Sequence, residues 1–329
     1  MPISRAPDET VARHNSLAAS PSTEHMRARD GAGCIATGVV VGMTALGLGL
    51  SLQPFTWAWL AGQAILALAF LQWFVILHEA GHRTLFRSGR LNSLVGHLAS
   101  LFAVIPSFTW RRIHARHHKY TGWQDLDATT ALLVPREVKS WERFAVNFSW
   151  STSLPLFSIL YRFQNFWNLP RLAQYLSRPN DMRAARINVA ALGLVYLLLV
   201  VLVGPLTLLW SVGLGLVLSL MAQDVILLSQ HTHMPQHLSK GKKVRCFSPA
   251  EQEEFTRSMR LPGWLSRLLL NFDLHELHHM YVHVPGYDLH SIPYRTANEV
   301  NWLVWLRGAK ALSGVEFLFG SRERTGFRM

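Results

Sequence analysis

Four long apolar runs dominate the chain. Gly31–Leu50 and Phe55–Leu77 form one pair, separated by the short Ser51–Pro54. Ile187–Val203 and Thr207–Leu228 form a second pair around Gly204–Pro205. A helix of ~20 apolar residues crosses a hydrocarbon core of ~30 Å, and each run is about that long. The first pair lacks the alternation of a strand, and its many Gly and Ala residues suit close packing between membrane helices. Two shorter runs differ. Leu91–Ile105 is apolar but ends at Pro106 and carries Gly96 and His97, which predicts a re-entrant or interfacial helix. Phe144–Tyr161 is rich in aromatics and broken by Pro155, which predicts a segment lying in the interface.

Lys and Arg sharpen this reading. No Lys or Arg lies between Asp30 and His82, and none between Ile187 and Ser239. The basic residues therefore fall in the amino tail, in Arg83–Arg186 and in Lys240–Met329. Two helical hairpins with tiny connectors put those three segments on one side, and the positive-inside rule makes that side cytoplasmic. The expected architecture is an all-α integral membrane protein: four transmembrane helices in two hairpins, with a cytoplasmic helical cap. Residues 1–30 are polar, mixed in charge and contain Pro2, Pro7 and Pro21, as expected of a flexible cytoplasmic tail rather than a cleaved signal peptide. Residues 31–329 are expected to form one membrane-bound domain. The expected location is a bacterial cytoplasmic membrane.

Composition agrees. Of the 329 residues, 50% are hydrophobic and 16% charged, well below the ~25% charged of a soluble domain. The net charge of +12 is explained by topology and anionic headgroups, so nucleic acid is not needed to account for it. Cys34 and Cys246 are the only cysteines, which excludes a disulfide scaffold and a four-cysteine zinc or iron–sulfur site.

Sixteen histidines remain to be explained. His78-Glu79-Ala80-Gly81-His82 closes the second span. His114-Ala115-Arg116-His117-His118 follows in the next cytoplasmic stretch. His231-Thr232-His233 follows the fourth span, and His275-Glu276-Leu277-His278-His279 comes about forty residues later. Positions i, i+3 and i+4 share a helix face, so each box offers two or three imidazoles to one point. Neutral imidazole binds Zn, Cu, Fe or Ni. Eight histidines in three such boxes exceed what one tetrahedral ion takes. Two metal ions fit the count, with His231 or His233 as a ninth ligand. His14 and His25 sit in the tail and are read as solvated. His97, His237, His283 and His290 are read as structural or supporting residues.

Two other readings use parts of the pattern. His78-Glu79-x-x-His82 is the HExxH of zinc proteases, with Glu79 as general base, but one zinc leaves both HxxHH boxes unexplained. A metal-ion transporter would place His and acidic residues in mid-span. Here the boxes lie at helix ends, and Asp224 is the sole acidic residue inside the four runs.

The boxes resemble those of the membrane fatty-acid desaturases. HEAGHRTLF (His78–Phe86) is similar to that family's first box, TWRRIHARHHKYT (Thr109–Thr121) to its second, and HELHHMYVHVPGY (His275–Tyr287) to its third. SQHTHMP (Ser229–Pro235) is similar to the segment after its fourth span. The resemblance implies two non-haem irons held by His78, His82, His114, His117, His118, His275, His278 and His279, with His231 as the additional ligand. His233 matches a family position of no assigned role. It also implies dioxygen and two electrons used to attack an unactivated C–H bond of a fatty acyl or related lipid chain, most simply as a desaturase. Hydroxylation, ketolation and terminal-alkene formation occur in the same superfamily, and a carotenoid is an alternative substrate. Glu79, Asp125, Asp127, Asp273 and Glu276 are candidates for orienting ligand histidines through the second ring nitrogen. Trp73, Phe74, Phe102, Phe108, Trp110 and Trp123 are candidates for lining an acyl tunnel. Arg111, Arg112, Arg116 and Lys119 are candidates for meeting an acidic headgroup, a carrier phosphate or a redox partner. The chain shows no cytochrome-like haem extension, cysteine cluster or Gly-rich nucleotide fingerprint. Electrons are therefore expected from a separate ferredoxin, rubredoxin or cytochrome system with its reductase.

Overall fold

The computed structural model describes residues 22–327. Residues 1–21 of the expected tail, with His14, lie outside that range. In chain order the helices are α1 (Asp30–Ser51), α2 (Thr56–His82), α3 (Gly89–Ala103), α4 (Ser107–Tyr120), α5 (Ser140–Thr152), α6 (Leu156–Arg162), α7 (Leu169–Leu172), α8 (Pro179–Val203) and α9 (Pro205–His231). Then come α10 (Gly263–Leu268), α11 (His275–Met280), α12 (Trp302–Lys310), α13 (Gly314–Phe319) and α14 (Arg322–Thr325). The strands β1 (Met259–Arg260) and β2 (Val300–Asn301) pair in parallel, with Met259 opposite Val300. Helices α1, α2, α8 and α9 are long and apolar enough to cross a membrane. Each extends beyond its apolar run, so the first histidine box forms the last turns of α2 and His231 ends α9.

The chain divides into two compact units. One, the membrane unit, comprises Ala28–Ala115 and Phe157–Asp224. Its helices α1 and α2 meet through small residues. Gly33, Ala36, Val40, Thr44, Gly47 and Ser51 form the buried stripe of α1. A Cβ on Gly62 would come 2.5 Å from Ser51 Oγ, and one on Gly47 would come 2.8 Å from Leu66 Cγ. Small residues here let two backbones approach, as van der Waals packing in lipid requires. Leu194, Leu197, Val201 and Leu202 of α8 are exposed, the outward face of a helix surrounded by hydrocarbon.

Helix α9 contains a π-turn at Leu209–Gly213, which breaks the regular ladder. The Gln63 amide repairs it: Nε2 donates to the Ser211 carbonyl at 2.8 Å, and Oε1 accepts from the Gly215 N–H at 2.8 Å. Helices α3 and α4 meet at a bend of 96°, with Val104 in the left-handed region (φ 56°) and Pro106 after it. The segment Leu91–Ile105, expected as a re-entrant or interfacial helix, falls mostly within α3, and α3 with α4 fits either a re-entrant loop or one broken span. The carbonyls freed at the bend are met by Arg162 Nε, which donates to Ala103 at 3.0 Å, and by Trp167 Nε1, which donates to Val104 at 3.0 Å. Irregular backbone is tolerated at membrane depth only when it is satisfied in this way. The segment Phe144–Tyr161 is two helices, α5 and α6, broken before Pro155. Trp141, Phe144 and Phe148 stand exposed on α5.

Among the described residues, the other unit, termed the cap, comprises 22–27, Arg116–Leu156 and 225–327. Its core includes Leu277, Tyr281, Val284, Leu289 and Ile292, with Met26 packed against them. Thr23 Oγ1 lies 3.0 Å from His283 Nε2. Buried Arg257 closes the end of α9: Nη1 donates to the carbonyls of Ser229 (2.7 Å) and Thr232 (3.0 Å), and its backbone N–H donates to Gln230. A cation at a helix C-terminus satisfies carbonyls that have no intrahelical partner.

Candidate metal centre

In the membrane unit, His78 and His82 stand one turn apart on α2, and His114 joins them from α4. Ring centroids are 4.7 Å apart for His78–His82, 4.8 Å for His78–His114 and 4.7 Å for His82–His114. One ring nitrogen of each lies within 4.8 Å of the others. Trp110 is buried and stacks on His114 at 4.3 Å. Only glycine fits beneath that indole, since a Cβ on Gly81 would come 2.4 Å from Trp110 Cζ3. Glu79 Oε1 lies 3.0 Å from His78 Nδ1, and Oε2 accepts from Thr84 Oγ1 at 2.8 Å. A carboxylate accepts, so His78 carries its proton on Nδ1 and turns a lone pair outward on Nε2.

The cap gathers His117 from α4, His231 from the end of α9, and His275 and His279 from α11. Their four ligand nitrogens lie within 4.8 Å of one another. His275 Nε2 is 2.9 Å from His231 Nε2 and 3.0 Å from His279 Nε2. His118 Nε2 and His278 Nε2 face each other at 3.1 Å.

Proton placement tests whether a metal ion fits. His231 Nδ1 donates to the Phe255 carbonyl at 3.3 Å, His117 Nδ1 to Asp127 Oδ2 at 2.7 Å, and His279 Nδ1 to Gln252 Oε1 at 2.8 Å. Each partner oxygen only accepts, so these three rings present lone pairs on Nε2. Burial, reinforced by the nearby His118 and His275 imidazoles, holds His279 well below its ordinary pKa, hence neutral at pH 7. His275 Nε2 carries at most one proton and cannot donate to both neighbours. A cation resolves this crowding of lone pairs. Two imidazole nitrogens bound at ~2.1 Å lie ~3.0 Å apart at a right angle and ~3.4 Å apart at a tetrahedral angle. The observed 2.9 and 3.0 Å put these nitrogens within reach of one shared ion. An all-imidazole donor set suits a borderline transition metal such as iron, zinc or copper.

The other residues singled out by sequence fall into two groups. Glu79 and Asp127 contact box histidines. Burial works against the Asp127 charge, but His117 and the Thr129 N–H and hydroxyl outweigh it and bring the carboxyl down to about 2. Asp125, His233, Asp273 and Glu276 engage the cap's own loops. Asp125 accepts from the Ser239 N–H and hydroxyl, Asp273 from Ser266 Oγ, and Glu276 from the backbone of Ser258 and Asn298. Burial pushes Glu276 up to about 7. His233 Nε2 donates to the Phe317 carbonyl, and its Nδ1 meets Thr325 Oγ1. Trp73 stacks on Phe102 at 4.8 Å, with Phe74 buried beside it in sequence. Phe108 and Arg111 line a cavity of about 80 Å³ together with Arg83 and His97. Arg112 pairs with Asp181, and Arg116 donates to the Leu126 carbonyl.

Sequence reading missed Gln252, Thr129 and the Phe255 carbonyl. Gln252 sits on a 3₁₀ turn (Ala250–Phe255) far from every box in sequence. Its Nε2 donates to the His118 carbonyl at 2.8 Å, which fixes the amide so that Oε1 faces His279.

The model of the fatty acid desaturase family matches residues 54–304. Among curated proteins, an sn-1 oleoyl-lipid 12-desaturase of Picosynechococcus is 45% identical over 62 residues, covering 19% of this chain and 18% of that protein. An endoplasmic-reticulum omega-3 fatty acid desaturase of Vigna radiata is 25% identical over 227 residues, 66% of this chain and 58% of the relative. A chloroplastic sn-2 acyl-lipid omega-3 desaturase (ferredoxin) of Helianthus annuus is 25% identical over 233 residues, 66% and 50% of the two chains. The chain thus spans between a fifth and three fifths of the lengths of these relatives. With a family match running from the start of the second span to beyond the third box, this integral membrane protein belongs to the fatty acid desaturase family.

Proposed function

We propose that this chain is an oxygen-dependent di-iron oxidoreductase that desaturates a fatty acyl or related lipid chain. The observation that carries the reading is the cap cluster of His117, His231, His275 and His279, whose lone pairs converge within 4.8 Å. The proposed ligand set is His78, His82, His114, His117, His118, His231, His275, His278 and His279, serving two irons. Family membership and the acyl-lipid desaturases among its relatives favour this reading over an HExxH zinc protease. So does Glu79, which is spent on His78 Nδ1 and Thr84 rather than placed as a general base.

Bound there, non-haem iron supplies the oxidising power that no side chain has. The chain's own residues hold the imidazoles in one tautomer. Asp127, Glu79, Gln252 and the Phe255 carbonyl accept hydrogen bonds from the Nδ1–H groups of His117, His78, His279 and His231, leaving each Nε2 to act as ligand. Burial of His78, His114, His117, His275, His278 and His279 excludes bulk water from the reacting centre. The overall reaction consumes one O₂, two electrons and two protons, takes two hydrogens from adjacent carbons, and yields an alkene and two waters. The electrons come from a separate carrier, for which a ferredoxin is the first choice given the Helianthus relative's name. Both termini and the boxes face the cytoplasm of a bacterial cell.

Mass-spectrometric profiling of lipids from a host expressing the wild type or His118→Ala tests the reaction. A wild-type-dependent product two hydrogens lighter than its parent is the expected result. A product one oxygen heavier, or a terminal alkene one carbon shorter, would replace desaturation with hydroxylation or alkene formation. No iron- and oxygen-dependent lipid product would overturn the oxidase.

A further inference from the structure

An enzyme that takes its electrons from a separate protein needs a place for that protein to dock, and the cap unit contains a surface built for it. The inference rests on the oxidase reading above. Lys240, Lys242 and Lys243 are exposed on one short loop, and Arg245 follows, paired with Glu251. The loop is held rather than loose. Asp125 accepts from the Ser239 and Lys240 N–H groups, Trp123 Nε1 donates to the Arg245 carbonyl at 2.9 Å, and the Trp123 backbone bridges to His237.

Beneath the loop lies an aromatic cluster. Trp123 stacks on Phe247 with centroids 5.7 Å apart, and Phe247 meets Phe255 at 4.5 Å. Gly122 is what lets the cluster close. Its φ is +91°, and a Cβ there would come 2.8 Å from Phe255 and 2.9 Å from Phe247. The cluster ends on the metal ligands by two routes. The Phe255 carbonyl accepts from His231 Nδ1 at 3.3 Å. Gln252 Nε2 donates to the Phe247 carbonyl at 3.4 Å, and its Oε1 accepts from His279 Nδ1 at 2.8 Å.

We propose that the Lys240–Arg245 loop docks an acidic one-electron carrier protein, and that the Trp123–Phe247–Phe255 cluster and Gln252 carry its electrons to the histidine site. Each encounter would oxidise the carrier by one electron, with the iron that the histidines would hold as the acceptor, so two encounters would supply the two electrons of the overall reaction. Exposed lysines on a fixed loop steer an acidic partner and set its on-rate. An anionic lipid surface is the weaker occupant. The flanking Leu238 is exposed, but no exposed aromatic lies between Ser239 and Ala250, and half-buried Phe247 packs on Phe255, whereas a lipid-seated segment carries exposed aromatics, as Trp141, Phe144 and Phe148 do on α5.

The test uses the full chain in neutral phosphatidylcholine nanodiscs and a [2Fe–2S] ferredoxin of net negative charge. Wild type is expected to bind it with a Kd that weakens about tenfold as salt rises from ~50 to ~200 mM, since screening cuts such contacts. The double variant Lys242→Glu/Lys243→Glu is expected to bind at least about tenfold more weakly at low salt, with a flatter salt dependence. Phe247→Leu is expected to keep the Kd and slow ferredoxin-driven turnover. The lysine double variant should match wild type in a single turnover started by adding O₂ to enzyme that has been reduced anaerobically with dithionite and freed of the excess. Equal affinities for wild type and the double variant, no salt-dependent binding by wild type, or an effect of the lysines confined to phosphatidylglycerol discs would each overturn the docking surface. Lysine-dependent ferredoxin binding by a wild type that forms no oxidised lipid even when O₂ is added after anaerobic reduction and removal of the dithionite would support the surface and refute the oxidase reading.

Discussion

Gln252 and His279 are joined at 2.8 Å by a hydrogen bond from the imidazole Nδ1 to the amide oxygen, and the same amide donates at 2.8 Å to the His118 carbonyl. One side chain thus sets the tautomer of a third-box histidine from the backbone of the second box. Removing the acceptor frees Nδ1 and lets the ring protonate on the wrong nitrogen. Gln252→Leu should lower metal affinity about 10–100-fold, the usual effect of losing such a partner. Gln252→Glu, which still accepts, should keep it. Competition with a chelator measures both. Equal affinity in Gln252→Leu and wild type would show that the bond does not set the tautomer.

Asp127 does the same for His117, with a charge. Its carboxyl is lowered from 3.8 to about 2. A depressed folded-state value means that the associated stability is present above the unfolded pKa and is lost as pH falls through the folded one. The window is therefore roughly pH 4 down to 2, and the shift corresponds to about 2 kcal/mol. Metal-free wild type should unfold at higher temperature than Asp127→Asn at pH 6, and the gap should close as pH approaches 2. A gap that stays constant over that range would assign the stability to shape rather than charge.

Gly81 tests the link between packing and ligation in the membrane unit. Gly81→Ala sets a methyl 2.4 Å from Trp110, whose indole stacks on His114. Overpacking of this kind costs roughly 1–3 kcal/mol, and displacing the indole should also lower metal content. Gly193→Ala on α8, where a Cβ meets nothing within 4 Å, is the control and should leave metal content unchanged without lowering the melting temperature, since Ala favours a helix over Gly. Melting temperature and metal content read the two effects separately.

The four spans were legible because lipid demands long uncharged runs, and that requirement is written in the sequence residue by residue. The box at His78–His82 closes the second span as its position predicts and forms the last turns of α2, whereas His231, expected to follow the fourth span, ends α9 itself, because a helix can run past its apolar stretch. The boxes themselves were legible from i, i+3 and i+4 spacing. Their partners were legible only when adjacent in sequence. Glu79 neighbours His78 and Asp127 lies ten residues from His117, whereas Gln252 reaches His279 across 27 residues that include β1 and α10. The short α11, six residues long, holds its box through tertiary contacts rather than helix propensity, so periodicity pointed to the right face without revealing what fixes it.

The two cysteines test the orientation. Cys246 lies on the cap and Cys34 is exposed on the outer face of α1, where only lipid shields it. A membrane-impermeant thiol reagent should label Cys246 in inverted vesicles and not in intact cells. Cys34 should react only after the membrane is dissolved. Labelling of Cys246 from outside intact cells would invert the topology.

The central claim is that these histidines hold two irons, and the most direct measurement is the metal content of the purified chain with that of its His279→Ala variant. Two irons per wild-type chain with little zinc is the expected result, falling in the variant while the protein stays folded. A single tightly bound zinc per chain, indifferent to His279, would contradict it.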